Sequence, residues 1–468
     1  MLVSSTVSET VAEETLLFGV EPVPAMTGYP TVDQLLDRLE GLRAEHPELI
    51  AVERIGTSRL GEPLWLYTLG EGRLSGLLAG GVHPNEPIGS VTILHLVEQL
   101  ASSADLRERL DTTWRIIPCA DPDGMRLNEG WFQTPGDAET YFRHFYRPAG
   151  DEQVEWTFPL SYKRAYFDAM LPETQALQRA IDAARPDFYV PLHNAESGGA
   201  YYYLSEPMPE LYCALQQLPE RFGIPLHRGE PEAAHFTELT PGIFDMGTVE
   251  EVYDWLEGLG LDPAPPGSAG DASTSYARRY GTLSMIAELP LQRRPDADDL
   301  TLSEHQYADL LEQEGRLLVA DGERLQSMLT QAEPDLRLET PLLRASRCFL
   351  PMVSRSGESQ RARACLEENS RSATGSEVSG LPGVRHMLRL RFGGIFLRAL
   401  EAECAAGTAS AQLRRLAEEM EGLFTLWLQE AADCPSGQTH EIPAHDVASV
   451  QCGAVLALAD YAGRRLRA

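Results

Sequence analysis

The sequence predicts an α/β protein in which a mixed, mostly parallel sheet is covered by helices on both faces and followed by an all-helical C-terminal part. Three observations predict it. Short apolar runs at residues 77–82, 113–119, 187–192 and 283–289 have the length and composition of buried strands. Segments with apolar residues three and four apart separate them, at 87–102, at 174–184 (where Leu177, Ile181 and Ala184 share a face) and at 208–222. From about Leu302 onward only the helical spacing persists, over 303–332, 386–405, 409–431 and 444–465. Alternating strands and helices place ligand sites at the carboxyl ends of the strands.

Chemistry-bearing side chains fall at those ends. His83 and Glu86 follow the run 77–82, Asp121 follows 113–119, His193 follows 187–192, and Glu288 lies at the end of 283–289. The His-x-x-Glu spacing alone says little, because five of the eleven histidines (His83, His95, His193, His227, His235) have a glutamate three residues on. Context separates them. His95 sits inside a helical pattern, and His227 and His235 lie in an irregular stretch with no strand leading into it, so structural roles are expected there. His83 and His193 each close a buried strand, and the turn at 84–87 can aim His83 and Glu86 at one point. Two imidazoles and one carboxylate, with a second carboxylate nearby as base, form the donor set that catalytic zinc favours. A zinc hydrolase is the expectation.

With these residues in place, the chain resembles the zinc metallocarboxypeptidases related to carboxypeptidase A over about residues 29–295. The features stand in family order: Tyr29-Pro30-Thr31-Val32 with a helix at 33–46, Ile55-Gly56-Thr57-Ser58-Arg59-Leu60-Gly61, the His83/Glu86 pair, Asp121-Pro122-Asp123-Gly124, His193 and Glu288. The resemblance implies a carboxypeptidase-like sheet of the eight-stranded type, with one zinc ion per chain bound by His83, Glu86 and His193. It makes Glu288 the general base and Arg126 the stabiliser of the oxyanion. It gives Arg143 the grip on the substrate's terminal carboxylate, with Arg147 a further candidate for that task. A planar guanidinium suits a carboxylate because it binds bidentately. The implied reaction is release of a C-terminal amino acid from a peptide by metal-activated water.

The sequence also departs from the family. Phe142 stands where the family keeps an asparagine beside the carboxylate-binding arginine, and Glu139 and Thr140 stand where it keeps an aspartate behind a zinc histidine. The family's active-site tyrosine has several candidates here: Tyr253, Tyr276, Tyr280 and the triplet Tyr201-Tyr202-Tyr203, which also reads as ordinary strand packing. Glu196 reads as a loop residue rather than a second cleft carboxylate. Two other functions stay open. One is zinc-dependent deacylation of N-acyl amino acids in the manner of aspartoacylase-like enzymes. The other is a non-catalytic binding module on a peptidase fold, against which the presence of all four of His83, Glu86, His193 and Glu288 weighs.

Length and composition bound the rest. At 468 residues the chain exceeds a usual single domain. The expected division is an N-terminal arm at 1–28, a catalytic domain at 29–300, and a helical extension at 301–468. Within the extension the Ser/Gly/Glu/Arg-rich segment 354–383 reads as a flexible linker. The extension is expected to pack on the catalytic domain, cap its cleft or build a homo-oligomer. A net charge of −31 argues against nucleic-acid and anionic membrane partners. No run reaches the roughly 18 apolar residues of a membrane helix, the N-terminus lacks a basic segment and an apolar signal core, and little room precedes Tyr29 for a folded pro-region. Seven scattered cysteines fit reduced thiols. A cytoplasmic protein acting on a peptide or N-acyl amino acid is the expectation.

Overall fold

The computed structural model describes residues 22–467 except 230–233, 266–268, 295 and 435–438; most of the arm expected at 1–28 lies outside the described residues. Among them, nine strands build the main sheet: β1 (Ile50–Thr57), β2 (Pro63–Leu69), β3 (Leu74–Ala79), β4 (Thr112–Ile117), β5 (Phe188–Pro191), β6 (Tyr201–Leu204), β7 (Glu238–Thr240), β8 (Ile243–Asp245) and β9 (Leu283–Glu288). Their order is β1-β2-β4-β3-β5-β9-β6-β8-β7. The middle of the sheet, β4-β3-β5-β9, is parallel throughout. Toward the edges the pairing becomes antiparallel, except between β6 and β8. The parallel centre is buried on both faces, which explains why its strands read as continuous apolar runs.

One face of the sheet is covered by the helix Pro172–Ala184. Leu177 and Ile181 meet Leu77, Ala79, Ile117 and Tyr189 there, all within 2 % exposure. The opposite face carries the helix Ile88–Ser102, the helix Pro209–Arg221 and the C-terminal helix Ala444–Arg467, which lies across both and reaches β5 and β9. A Cβ on Gly453 would come within 2.6 Å of Leu218, so the C-terminal helix seats closely on its neighbour because that position has no side chain. The last helix of the chain is thus a layer of the sheet domain. At the other end, the helix Val32–Glu45 starts with a reciprocal cap in which Thr31 and Gln34 bond each other's backbone.

The segment 354–383, expected as a flexible linker, is instead largely helical. It contains the end of the helix Pro341–Ala364, a short turn at Glu367–Asn369, the strand Ser372–Thr374 and the start of the helix Gly375–Ala405. Pro351 and Pro382 lie inside those helices. The small residues that resembled linker composition are packing devices. A Cβ on Gly357 would meet the Gly315 carbonyl at 2.5 Å, and one on Gly322 would meet the Ser354 nitrogen at 2.4 Å. Gly and Ser therefore let the helices Tyr307–Ala332 and Pro341–Ala364 approach backbone to backbone. Thr374 and Glu377 form a further reciprocal cap that starts the next helix.

Candidate metal centre and cleft

β3 and β4 stay zipped past their formal ends, through Gly80 N–H to Ile117 O at 2.9 Å and Ala120 N–H to Gly80 O at 2.8 Å. Gly81 then turns the chain with φ +59°, a conformation suited to glycine. A side chain there would also press on Cys119 and Met125. This turn delivers His83, and a tight bond from Glu86 N–H to His83 O, 3.1 Å, brings Glu86 back beside it. His193 leaves the end of β5, whose register sets Ala79 opposite Pro191. Asn194 links the two ends: its side-chain oxygen accepts from Ile88 N–H at 3.3 Å and its own N–H donates to Glu86 Oε2 at 3.3 Å. Glu288 closes β9, opposite Tyr201.

The result is one cluster. Ligand atoms of His83, Glu86 and His193 all lie within 4.8 Å of one another, and the three residues are buried. His193 Nδ1 is 3.0 Å from Glu86 Oε2 and 3.7 Å from Glu288 Oε1. His83 Nδ1 and His193 Nε2 are buried with no hydrogen-bond partner among the described residues, and buried imidazole nitrogens are seldom left so. Burial and the nearby Arg147 hold the His83 pKa well below its ordinary value, so its imidazole is neutral and its lone pair available. Burial opposes ionisation of Glu86, yet His193 and Arg147 outweigh it and lower its pKa. A neutral imidazole, a second imidazole and an ionised carboxylate in one buried point suit a divalent cation, and zinc above others.

The cluster opens into a cleft of about 540 Å³ whose far wall is largely apolar, with Leu160, Met246, Val249 and Val252 among its residues. Of the arginines expected at the site, only Arg147 lines it. Arg147 donates to Glu86 Oε1 at 3.0 Å and to Gln153 Oε1 at 2.9 Å, and its guanidinium lies 5.0 Å from the centre of the Trp156 ring. Trp156 in turn packs edge-on against His83, with ring centres 4.8 Å apart.

Arg126 and Arg143 are elsewhere. Arg126 is bound by Glu62 at 2.9 Å and Asp33 at 2.7 Å. Arg143 forms a paired contact with Glu421, at 2.6 and 3.0 Å, and a bond to Glu139 at 2.9 Å. Both are committed to carboxylates outside the cleft, so the structure does not bring them to the cluster. Phe142 and Glu196 line a separate hollow beside the helix Gly375–Ala405. Glu196 is neither a cleft carboxylate nor a free loop residue, because it pairs with the buried Arg391 and accepts from Tyr141 Oη at 3.1 Å.

Tyr203 and Tyr253 line the cleft, while Tyr276 and Tyr280 both bond Asp182 at 2.8 Å away from it. Tyr202 is fully buried core. Three site residues escaped the sequence reading. His235, expected to be structural, lines the cleft, where burial pulls its pKa down to about 4. Glu155 lines it too, at 1 % exposure, accepting from Ser273 Oγ at 2.6 Å, and burial pushes its carboxyl up to about 7. Gln451, on the C-terminal helix, donates from Nε2 to the His193 carbonyl at 2.7 Å and accepts from Thr92 Oγ1 at 2.7 Å. The Glu-Trp pair at 155–156 was legible only as composition, and Gln451 lies 258 residues from the histidine it holds.

The zinc carboxypeptidase family profile matches residues 35–229, a span that contains the three clustered residues and ends before Glu288. A curated relative, zinc carboxypeptidase A 1 of Anopheles gambiae, is 31% identical over 117 residues, covering 23% of this chain and 27% of that protein. Carboxypeptidase B of Astacus astacus is 28% identical over 103 residues, covering 21% of this chain and 34% of that protein. The chain therefore matches only about a quarter to a third of the length of these curated relatives. Among solved structures, the carboxypeptidase A of Helicoverpa armigera aligns with a TM-score of 0.39 at 14% identity, over 76% of this chain and 80% of that one. A metallo-carboxypeptidase of Burkholderia cenocepacia aligns at 0.33 and 16%, over 56% and 60%. The resemblance read from the residues and the family match coincide: over residues 35–229 this chain is similar to the zinc carboxypeptidases.

Proposed function

We propose that the cleft is the active site of a zinc-dependent hydrolase that cleaves an amide bond of a peptide. The observation that carries this reading is the meeting of His83, Glu86 and His193 at one buried point with Glu288 beside them. A zinc ion held there supplies a polarised scissile carbonyl and a water whose pKa falls toward about 7. Glu288 takes the proton from the attacking water and returns it to the departing amine, the exchange a carboxylate within hydrogen-bond reach performs. Arg147 faces the developing oxyanion in place of Arg126, since it is the arginine that lines the cleft among the described residues. Gln153 and the Trp156 ring hold its guanidinium in position. The apolar wall excludes water around the scissile group and seats a substrate side chain.

Within that reading, two reactions compete. Release of a C-terminal residue needs a cation for the terminal carboxylate, and with Arg147 assigned to the oxyanion no second arginine lines the cleft among the described residues. Deacylation of an N-acyl amino acid uses the same zinc residues and base, and the apolar wall suits an acyl chain. Turnover of peptides with free and amidated C-termini, beside a set of N-acyl amino acids, separates them. Loss of single residues from free C-termini alone supports the carboxypeptidase reaction, and cleavage of acyl amino acids alone supports the deacylase. Zinc-loaded protein that turns over none of these contradicts hydrolysis and leaves the fold as a binding module.

A further inference from the structure

We infer that the far wall of the cleft is a gate, and that Lys163 is the latch whose release lets longer substrates reach the His83/Glu86/His193 cluster. This rests on the proposed amide hydrolysis there and adds a control of access to it. Two elements meet at the cleft. One is the hairpin of strands Leu160–Tyr162 and Ala165–Phe167, which lines it with Leu160 and Ala165. The other is the helix Val249–Gly258, which lines it with Val249, Val252 and Tyr253. The hairpin tip reaches that helix and its C-terminal side with three consecutive side chains. Tyr162 Oη lies 2.9 and 3.0 Å from the two Asp254 carboxylate oxygens. Lys163 Nζ donates to Asp254 Oδ1 and Glu257 Oε2, both at 2.7 Å. Arg164 donates to Asp262 Oδ1 at 2.5 Å. The Lys163 ammonium also lies 5.5 Å from the centre of the Tyr162 ring and 5.1 Å from that of Tyr253.

Two features make this contact a latch rather than a part of the core. The first is its exposure: the side chains of Lys163, Asp254 and Glu257 are 40, 52 and 54% exposed. Among the described residues, neither element contributes to the apolar clusters of the core. Exposed ion pairs are individually weak and are screened by salt, so the two elements part at small cost. Gly247 and Gly260, with φ of +62° and +73°, bound the helix and supply a pivot at each end. The second feature is Lys163 itself. It is the only lysine in the chain, and it stands first in the two-residue hairpin loop with φ +47°, a conformation such loops usually give to glycine or asparagine. Backbone held against its preference is found where a side chain has a task. An ammonium suits this one, because a compact charge with three donors answers two carboxylates at once. With the latch closed, the cleft of about 540 Å³ holds a compact substrate, and an extended chain needs the wall moved.

The test first reads the gate without turnover, by hydrogen exchange and mass spectrometry on the full chain, wild type and Lys163→Met, at low and high salt. Wild-type amides of 160–167 and 249–258 should exchange about 3- to 10-fold faster at high salt, and those of Lys163→Met should be fast at both. Amides of the helix Pro172–Ala184 should stay unchanged throughout. Salt-independent exchange in the wild type, or wild-type exchange in Lys163→Met, overturns the inference. The second arm uses zinc-loaded protein and two peptides with the same scissile amide, an N-acyl dipeptide and the same sequence extended at its N-terminus. Lys163→Met should raise kcat/KM about 3- to 10-fold for the long peptide and leave the short one within about twofold. The double variant Asp254→Asn, Glu257→Gln should match it, and adding Lys163→Met to that variant should bring no further gain, because one contact is being removed. Equal gains on both peptides, or a loss on the long one, overturns the inference. If neither peptide is turned over, the hydrolase reading fails separately, and the exchange experiment still decides whether Lys163 latches the wall.

Discussion

Replacing Gln451 with Met should weaken both the fold and the candidate metal centre, because this buried amide links the C-terminal helix to the backbone of His193, one of the three clustered residues. Gln451 has no exposure and makes two bonds of 2.7 Å, to the His193 carbonyl and from the Thr92 hydroxyl. Methionine keeps the shape and removes both partners. Leaving a buried polar group unmet costs about 1–3 kcal/mol. Thr92 lies in a helix and its hydroxyl can turn to a backbone carbonyl one turn earlier, which recovers part of its share. The net loss is about 2–4 kcal/mol. At about 2.1 cal/mol/K per residue, the 468-residue chain has an unfolding entropy near 1 kcal/mol/K, so Tm should fall by about 2–4 °C. Freed of its anchor, the His193 loop should also bind zinc about 10- to 100-fold more weakly, as when groups behind a metal ligand are removed. Scanning calorimetry and a competitive chelator titration read the two effects. Thr92→Val is the control, since it should lower Tm while Gln451 still holds His193 and zinc affinity stays within about threefold. A Gln451→Met protein with wild-type zinc affinity would refute the argument that the C-terminal helix supports the site.

Other outcomes follow from the same contacts. Glu288→Gln should lower kcat/KM by about 100- to 10,000-fold with zinc retained, measured by steady-state kinetics beside metal analysis. Arg147→Ala should cut kcat by about 100-fold or more, as removal of an oxyanion donor does. Arg126→Ala and Arg143→Ala should stay within about threefold, since their partners Glu62, Asp33 and Glu421 lie outside the cleft. The reverse order would return the oxyanion role to Arg126. Asp121 gives a pH prediction. Its carboxyl is buried and pushed up to about 7, against an unfolded value near 3.9, so the folded state holds this proton more tightly. Its contribution is then present at low pH and lost as pH rises from about 4 to 7. Asp121→Asn should lessen that decline in denaturant titrations across the interval, and an unchanged slope would count against it.

The parallel centre of the sheet was legible because its strands are buried on both faces and so read as unbroken apolar runs, each ending at a chemical residue. The positions of His83, Glu86, His193 and Glu288 follow from those ends. What the sequence concealed was long-range partnership. Arg143 is an equally good candidate until Glu421, 278 residues later, occupies it. Arg147, four residues on, lies past the end of the short helix Ala138–His144 and lines the cleft. The segment 354–383 looked like a linker because Gly and Ser are read locally as flexible, whereas at Gly357 and Ser354 they serve close helix contact. His235 gave no strand signal, and four other histidines share its His-x-x-Glu spacing; its place in the cleft is set by its packing against Phe236 and Trp255.

The central claim is that the His83/Glu86/His193 cluster holds zinc and that Glu288 then drives amide hydrolysis. Its most direct test is mass spectrometry of a mixed panel of peptides and N-acyl amino acids, run with chelator-stripped protein, with the same protein after one equivalent of zinc, and with zinc-loaded Glu288→Gln. The account predicts amide cleavage only in the zinc-restored wild type. Equal cleavage by the stripped protein or by Glu288→Gln, or none by the restored wild type, would contradict it.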